Sequence, residues 1–349
     1  MKTPTHKIAE SSVADAKLPK RINVALQGGG AHGAFTWGVL DRLLEDERIE
    51  IEAISGTSAG AMNGVVMAEG MVEGGRARAR AQLREFWKAV ADALQQSSNF
   101  SNPWAGFIPS WMNDLNPALQ AFQAIASTTS PYQFNPLDFN PLRDIVQSEV
   151  DFDRVHKCQS MKLFIAATNV VTGRVEVFTG DRITLDSVMA SACLPTLYKA
   201  VEIDGVPYWD GGYTGNPVLA PFLTECMSRD LLIVQINPQH RFGTPESSHE
   251  ILDRLNEITF NASLFREIDA IKFVTRHLRD GTLQGGAFRD VYLHRLGGGA
   301  VAEGWTAASK LSATWEFLQR LFQQGYAEAD AWLAAHFDDL GQRDTMDLT

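Results

Sequence analysis

The chain has 349 residues, 45% of them apolar, which is enough to bury a large core as one big α/β domain or two smaller ones. Its 31 basic and 42 acidic residues give a net charge of −11, which excludes nucleic acid or a strongly anionic membrane as a partner held by charge alone. A neutral, apolar ligand stays compatible.

Residues 1–20 lack a continuous apolar stretch, and no run of about 18 or more apolar residues occurs anywhere. A soluble cytoplasmic protein with a disordered leader at 1–20 is expected. Cys158, Cys193 and Cys226 have neither zinc-site nor disulfide-framework spacing. They suit a reducing compartment, as small core residues.

Residues 22–27 read as a buried strand that ends in Gly28-Gly29-Gly30-Ala31-His32-Gly33. A helix follows over 34–46, with Phe35, Val39 and Leu43 on its apolar face. A second strand over 51–56 breaks into Gly56-Thr57-Ser58-Ala59-Gly60 and resumes as a helix. This β-α-β-α opening predicts a parallel sheet. Residues 74–96 carry an apolar helical stripe, with Arg76, Arg80, Arg84 and Lys88 on another face that reads as solvated.

Residues 97–141 lose periodicity between repeated prolines and form an insertion or cap, rich in large apolar groups from Phe100 to Phe139. Most are expected to pack on the core, since loose loops of this length are uncommon in compact domains. The alternative is an apolar entrance.

A hairpin is expected over 162–179 and a short helix over 185–193, stopped by Pro195. Asp204-Gly205 signals a second hairpin whose outgoing arm delivers Asp210-Gly211-Gly212. A helix over 218–228, a buried strand over 231–236, a long helix through Ile251 to Ile268 and a last strand over 291–296 follow. Two helices close the chain, one through Leu311 to Phe322 and one through Tyr326 to Phe337. The predicted fold is a three-layer α/β sandwich, a mainly parallel central sheet with helices on both faces. Residues 21–240 form the catalytic unit, and 241–349 form a helical extension packed on it.

Ser58 stands where a strand-turn-helix lifts a side chain clear of the backbone, with Gly56 and Gly60 permitting the tight fold. It is the candidate nucleophile. Consecutive glycines leave N–H groups bare, as an oxyanion hole requires, so Gly28, Gly29 and Gly30, with Ala59 at the helix start, are the candidate donors. The spacing Gly28-x-Gly30-x-x-Gly33 also fits a dinucleotide fingerprint, but the acidic residue needed at the end of the second strand is replaced there by Gly56-Thr57-Ser58. His240, His249, His277, His294 and His336 stand in no recognisable motif and read as surface or structural, and none is assigned as a base. Asp210, at the end of an apolar arm before Gly211 and Gly212, is the candidate base. No spacing points to a metal, and no cofactor is expected.

The glycine cluster at 28–33, Gly56-Thr57-Ser58-Ala59-Gly60 and Asp210-Gly211-Gly212, in that order, resemble the patatin-like phospholipase family. The match extends to Ala190-Ser191-Ala192-Cys193-Leu194-Pro195 and to Asn216-Pro217, and covers roughly residues 22–235. The resemblance implies a Ser-Asp dyad, with Ser58 as nucleophile, Asp210 as base and the oxyanion bound at the backbone of Gly28 to Gly30. His32 departs from the Lys or Arg that the family often carries, which puts a charge-assisted role there in doubt. The implied activity is hydrolysis of fatty-acyl esters of phospholipids or related lipids, with transient contact at a membrane surface. A general carboxylesterase or thioesterase, or a lipid-binding module with little turnover, are the alternatives.

Overall fold

The computed structural model describes residues 18–101, 129–284, 289–299, 305 and 308–346. Strands β1 (Lys20–Leu26), β2 (Ile49–Gly56), β3 (Lys162–Asn169), β4 (Val175–Phe178), β5 (Val201–Ile203), β6 (Val206–Asp210), β7 (Asp230–Gln235) and β8 (Tyr292–Gly297) form one sheet. Its order is β5-β6-β3-β2-β1-β7-β8, with β4 also on β3. The run β3-β2-β1-β7-β8 is parallel, and β4, β5 and β6 add antiparallel at one side.

The helices are α1 (Gly33–Glu45), α2 (Ala59–Ser101), α3 (Pro131–Phe134), α4 (Pro141–Glu149), α5 (Phe152–His156), α6 (Leu185–Ser191), α7 (Ala220–Glu225), α8 (Ser248–Arg279) and α9 (Trp315–His336). Side chains alternate across a strand, and β1 shows the result. Val24 and Leu26 join a core with Phe35, Val65 and Leu318 from α1, α2 and α9, while Ala25 joins a second core with Phe222, Leu264 and Ile268 from α7 and α8. Both faces of the sheet are therefore covered, which gives the three-layer α/β sandwich expected.

The structure corrects four details. The two terminal helices are one, α9, and Gly325 lies inside it because α1 packs there: a Cβ on Gly325 would lie 2.0 Å from the Phe35 carbonyl oxygen. Residues 74–96 are not a separate element but the second part of α2, which leaves helical geometry only at Gly74 and Gly75. Arg76 and Arg80 are not a solvated face. Arg76 donates to the carbonyls of Leu44 and Asp46 at 3.3 and 3.1 Å, and Arg80 holds Asp41 through two bonds of 3.1 and 2.9 Å. Within the insertion, Tyr132 and Phe139 are exposed rather than packed. The remainder of that insertion, residues 102–128, and the leader as far as residue 17 lie outside the described residues.

No helix among the described residues is long and apolar enough to cross a membrane.

Candidate active site

The turn after β2 is built by close backbone contacts. A Cβ on Gly56 would lie 2.6 Å from the Gly60 carbonyl carbon, and one on Gly60 would lie 2.2 Å from the Leu26 oxygen. Only hydrogen fits at either place. Ser58 between them takes φ +54°, a left-handed conformation that a serine adopts only when its surroundings impose it. The glycine loop lies directly beside this turn, since a Cβ on Gly28 would sit 2.8 Å from the Ser58 Cβ.

Asp210 arrives from the antiparallel side of the sheet. Its backbone pairs with Ala167 of β3, and its amide donates to the Cys193 carbonyl at 2.8 Å. The carboxylate accepts from the Gly212 amide at 2.7 Å and lies beside the Ser58 hydroxyl, which favours its ionised form. Asp210 is 1% exposed and Ser58 9%. Burial pushes the Asp210 carboxyl up to about 7, against the opposing pull of the Gly212 amide, the Ser58 hydroxyl and the Lys310 ammonium.

The expected amide donors divide. Gly28 is taken, its N–H donating to Asn216 Oδ1 at 2.6 Å, so it is not free to bind an oxyanion in this arrangement. The amides of Gly29, Gly30 and Ala59 donate to no described residue. The Ser58 amide is also occupied, by Ser191 Oγ at 2.8 Å. Gly33 serves packing, because a Cβ there would lie 2.6 Å from that of Ala59. Gly211 and Gly212 do the same against the Ala166 oxygen and the Phe260 ring, each 2.3 Å from where a Cβ would stand.

A buried amide network fixes the glycine loop. Asn237 Nδ2 donates to the Gly28 carbonyl at 2.8 Å, and Gln27 Oε1 accepts from the amides of Ile236 and Asn237 at 2.9 and 2.8 Å. Gln27 Nε2 in turn donates to Asn261 Oδ1 at 2.8 Å. His32 is buried against Trp305, ring centroids 4.7 Å apart, with Nε2 2.8 Å from Ser309 Oγ. Burial first, and then Lys310 and Arg241, push it down to about 3, so it is neutral and supplies no charge to the loop.

Of the other histidines, His294 is fully buried between Asp230 and Thr345 at 3.0 and 2.9 Å, a structural tie remote from Ser58 in the sheet. Sequence reasoning missed the parts played by Ser191, Asn216, Gln27, Asn237 and Lys310. The first two sit in motifs already noted; the other three carry no local signal. No group of three or more His, Cys, Asp or Glu among the described residues could hold a metal ion.

Ser58 thus stands on a strand-turn-helix at the carboxyl edge of a mostly parallel α/β sheet, beside amides that donate to no described residue. The sequence profile described as "Patatin-like phospholipase" matches residues 24–223, more than half of the chain. The chain belongs to the patatin-like phospholipase family, whose members are lipid hydrolases.

No curated protein matches the sequence significantly. Among solved structures, VipD from Legionella pneumophila is similar at 16% identity and a TM-score of 0.41, over 91% of this chain and 67% of that one. The type III effector protein ExoU is similar at 15% identity and a TM-score of 0.34, over 91% of this chain but only 54% of its own length. Full-length ExoU in complex with full-length SpcU, from the type III secretion system of Pseudomonas aeruginosa, gives 16% identity and a TM-score of 0.28, over 95% and 75%.

Proposed function

We propose that this chain is a serine acyl hydrolase that cleaves fatty-acyl ester bonds of phospholipids or related lipids through a Ser58–Asp210 dyad and an acyl-enzyme. The observation that carries the proposal is the placement of the Ser58 hydroxyl beside the buried Asp210 carboxylate, next to amides that donate to no described residue.

Ser58 Oγ attacks the ester carbonyl carbon while Asp210 accepts the hydroxyl proton. The oxyanion is bound by the amides of Gly29, Gly30 and Ala59. As the ester C–O bond breaks, Asp210 returns the proton to the leaving alcohol. Water then attacks the acyl-Ser58 carbonyl and gives its proton to Asp210, which returns it to Ser58 Oγ as the acyl–oxygen bond breaks and the fatty acid leaves. A free aspartate, with a pKa of about 3.9, is a weak base for this task, and one brought up to about 7 is far better matched to it. Each oxyanion donor in comparable sites contributes about 2.7 to 4 kcal/mol, so the hole matters as much as the base.

Such a substrate sits in a lipid surface, and contact with one is part of the proposal. The exposed Tyr132, Leu137 and Phe139 support it, being tied to the loop that follows Cys193 by Tyr132 Oη accepting from the Ala200 amide at 3.4 Å and Lys199 Nζ donating to the Pro136 carbonyl at 2.7 Å.

The test is fatty-acid release from phospholipid, lysophospholipid and acylglycerol by the wild type and by Ser58→Ala. Wild-type release that disappears in Ser58→Ala, together with loss of fluorophosphonate labelling, is the expected result. Equal release by both proteins would overturn the nucleophile.

A further inference from the structure

The proposed mechanism leaves one half-buried cation beside the site unused. Lys310 belongs to the short helical turn Ala308–Leu311, outside the 24–223 span of the family profile. Its backbone rests on the glycine loop: a Cβ on Gly30 would lie 2.5 Å from the Lys310 carbonyl oxygen and 3.3 Å from its Cβ. Its ammonium donates to Asn256 Oδ1 at 2.9 Å and stands 5.0 Å from the centroid of the Phe260 ring. That same ring abuts Gly212, whose amide binds Asp210. Lys310 therefore bridges the loop that carries the bare amides and the turn that carries the carboxylate.

No described carboxylate is within salt-bridge distance of this ammonium. Glu257, the acidic neighbour with the largest influence on it, is already held by Arg241 and Arg254 at 2.7 and 3.0 Å. A lysine without a counter-ion of its own, in a half-buried place, is costly to keep charged. The carboxylates whose fields favour its charge are Glu257, Asp210 and Asp253, and the interaction with Asp210 is mutual. His32, the loop residue that could have carried a charge here, is neutral.

We propose that Lys310 is a positioning residue for acyl transfer: seated between the glycine loop and Phe260, its ammonium favours the ionised form of Asp210, the form that accepts the serine proton. A segment outside the matched family span thereby completes the site. The proposal rests on the dyad reading given above.

The groups facing Asp210 are the Ser58 hydroxyl, the Gly212 amide, Cys193, Tyr213 and Lys310. Those facing Lys310 are Asp210, Glu257 and Asp253, with Arg241 and neutral His32. Only Lys310 among the first group carries positive charge. Its removal raises the proton affinity of Asp210, and activity that needs the carboxylate then fails at a higher pH.

The experiment is kcat/KM against pH on a neutral, soluble p-nitrophenyl ester for the full-length wild type, Lys310→Met, Lys310→Arg and Asn256→Ala. The acid limb of Lys310→Met should move up by about one pH unit, a roughly tenfold fall on that limb, and Lys310→Arg should restore it. Asn256→Ala, which frees the ammonium from its anchor, should move the limb part of the way, and carries the same test where Lys310→Met does not fold. Above about pH 9, where Lys310 of the wild type has itself lost its proton, the Lys310→Met and wild-type rates should converge, since burial brings that lysine down to about 8. An unmoved acid limb, or a uniform fall at every pH without rescue by arginine, overturns the proposal and leaves Lys310 a packing residue on Gly30. A Ser58→Ala control separates the two claims. Activity surviving in it overturns the dyad and the Lys310 role together, whereas an inactive Ser58→Ala with an unmoved limb overturns the Lys310 role alone.

Discussion

Gly56 and Asp210 meet end to end along one edge of β3. Gly56 pairs with Ile165 and Asp210 with Ala167, while β4 pairs with both Ile165 and Ala167 from the opposite edge. Thus β2, running parallel to β3, stops where antiparallel β6 arrives, and the two carboxyl ends converge. The proposed nucleophile follows one of these ends and the proposed base terminates the other.

The buried carboxylate is held at a cost to the fold, and Asp210→Asn should show it. Because folding raises the affinity of Asp210 for its proton, the folded state binds more protons than the unfolded one between about pH 4 and 7, and stability falls as pH rises through that window. Removing the charge should raise stability at pH 8 by on the order of 2 kcal/mol, with no gain below about pH 4. Turnover should fall by at least about a hundredfold. Chemical denaturation at the two pH values, with ester hydrolysis in parallel, checks both; undiminished turnover would refute the base.

Wild-type kcat/KM should fall as pH drops below about 7, the range to which burial brings Asp210, with a single proton governing that limb. A rate constant down to pH 5 would mean that the serine is activated by something other than this carboxylate.

Ser58→Gly should stabilise the protein while abolishing activity. Glycine accepts φ +54° without strain, so a gain of about 1 kcal/mol is expected, whereas Ser58→Ala keeps the strained conformation. Denaturation midpoints of the two variants make the comparison, and equal midpoints would show that the elbow is unstrained.

Asn216→Ala should be costly in both respects. It strands the buried Gly28 amide, worth about 1 to 3 kcal/mol, and removes the side chain that fixes the loop beside Ser58. Loss of stability with a fall in kcat is expected; stability within about 0.5 kcal/mol of wild type would mean that another acceptor, such as water, replaces the amide's partner.

What could be read from the residues follows the range of the interactions. The elbow is local, fixed by Cβ clashes of Gly56 against Gly60 and of Gly60 against Leu26 on the neighbouring strand, and Gly-x-Ser-x-Gly records it. The parallel order of β1 and β2 follows from the helix between them. By contrast, the occupation of Gly28 by Asn216, and the approach of Lys310 to Gly30, join residues far apart in the chain with no repeated spacing to betray them. The break expected between Phe322 and Tyr326 fails for the same reason, since the glycine there, Gly325, lies against α1 within one continuous helix. Arg76 likewise read as a solvent-facing base because the carbonyls it serves, at the end of α1 and just beyond, are brought to it only by packing.

The crossing of α1 and α9 bears on the accuracy of the site. A Cβ on Gly38 would lie 2.0 Å from the Phe322 carbonyl oxygen, the counterpart of the clash at Gly325. With hydrogen on both sides, the two backbones touch, and there is a single depth at which these helices can meet. Gly38 lies five residues, or about 8 Å, along α1 from Gly33, where the glycine loop enters the helix. The crossing thus acts as a mechanical datum for the oxyanion amides: a methyl group added at either glycine would be felt first as a loop pushed out of line with Ser58, some distance from where the atom was placed.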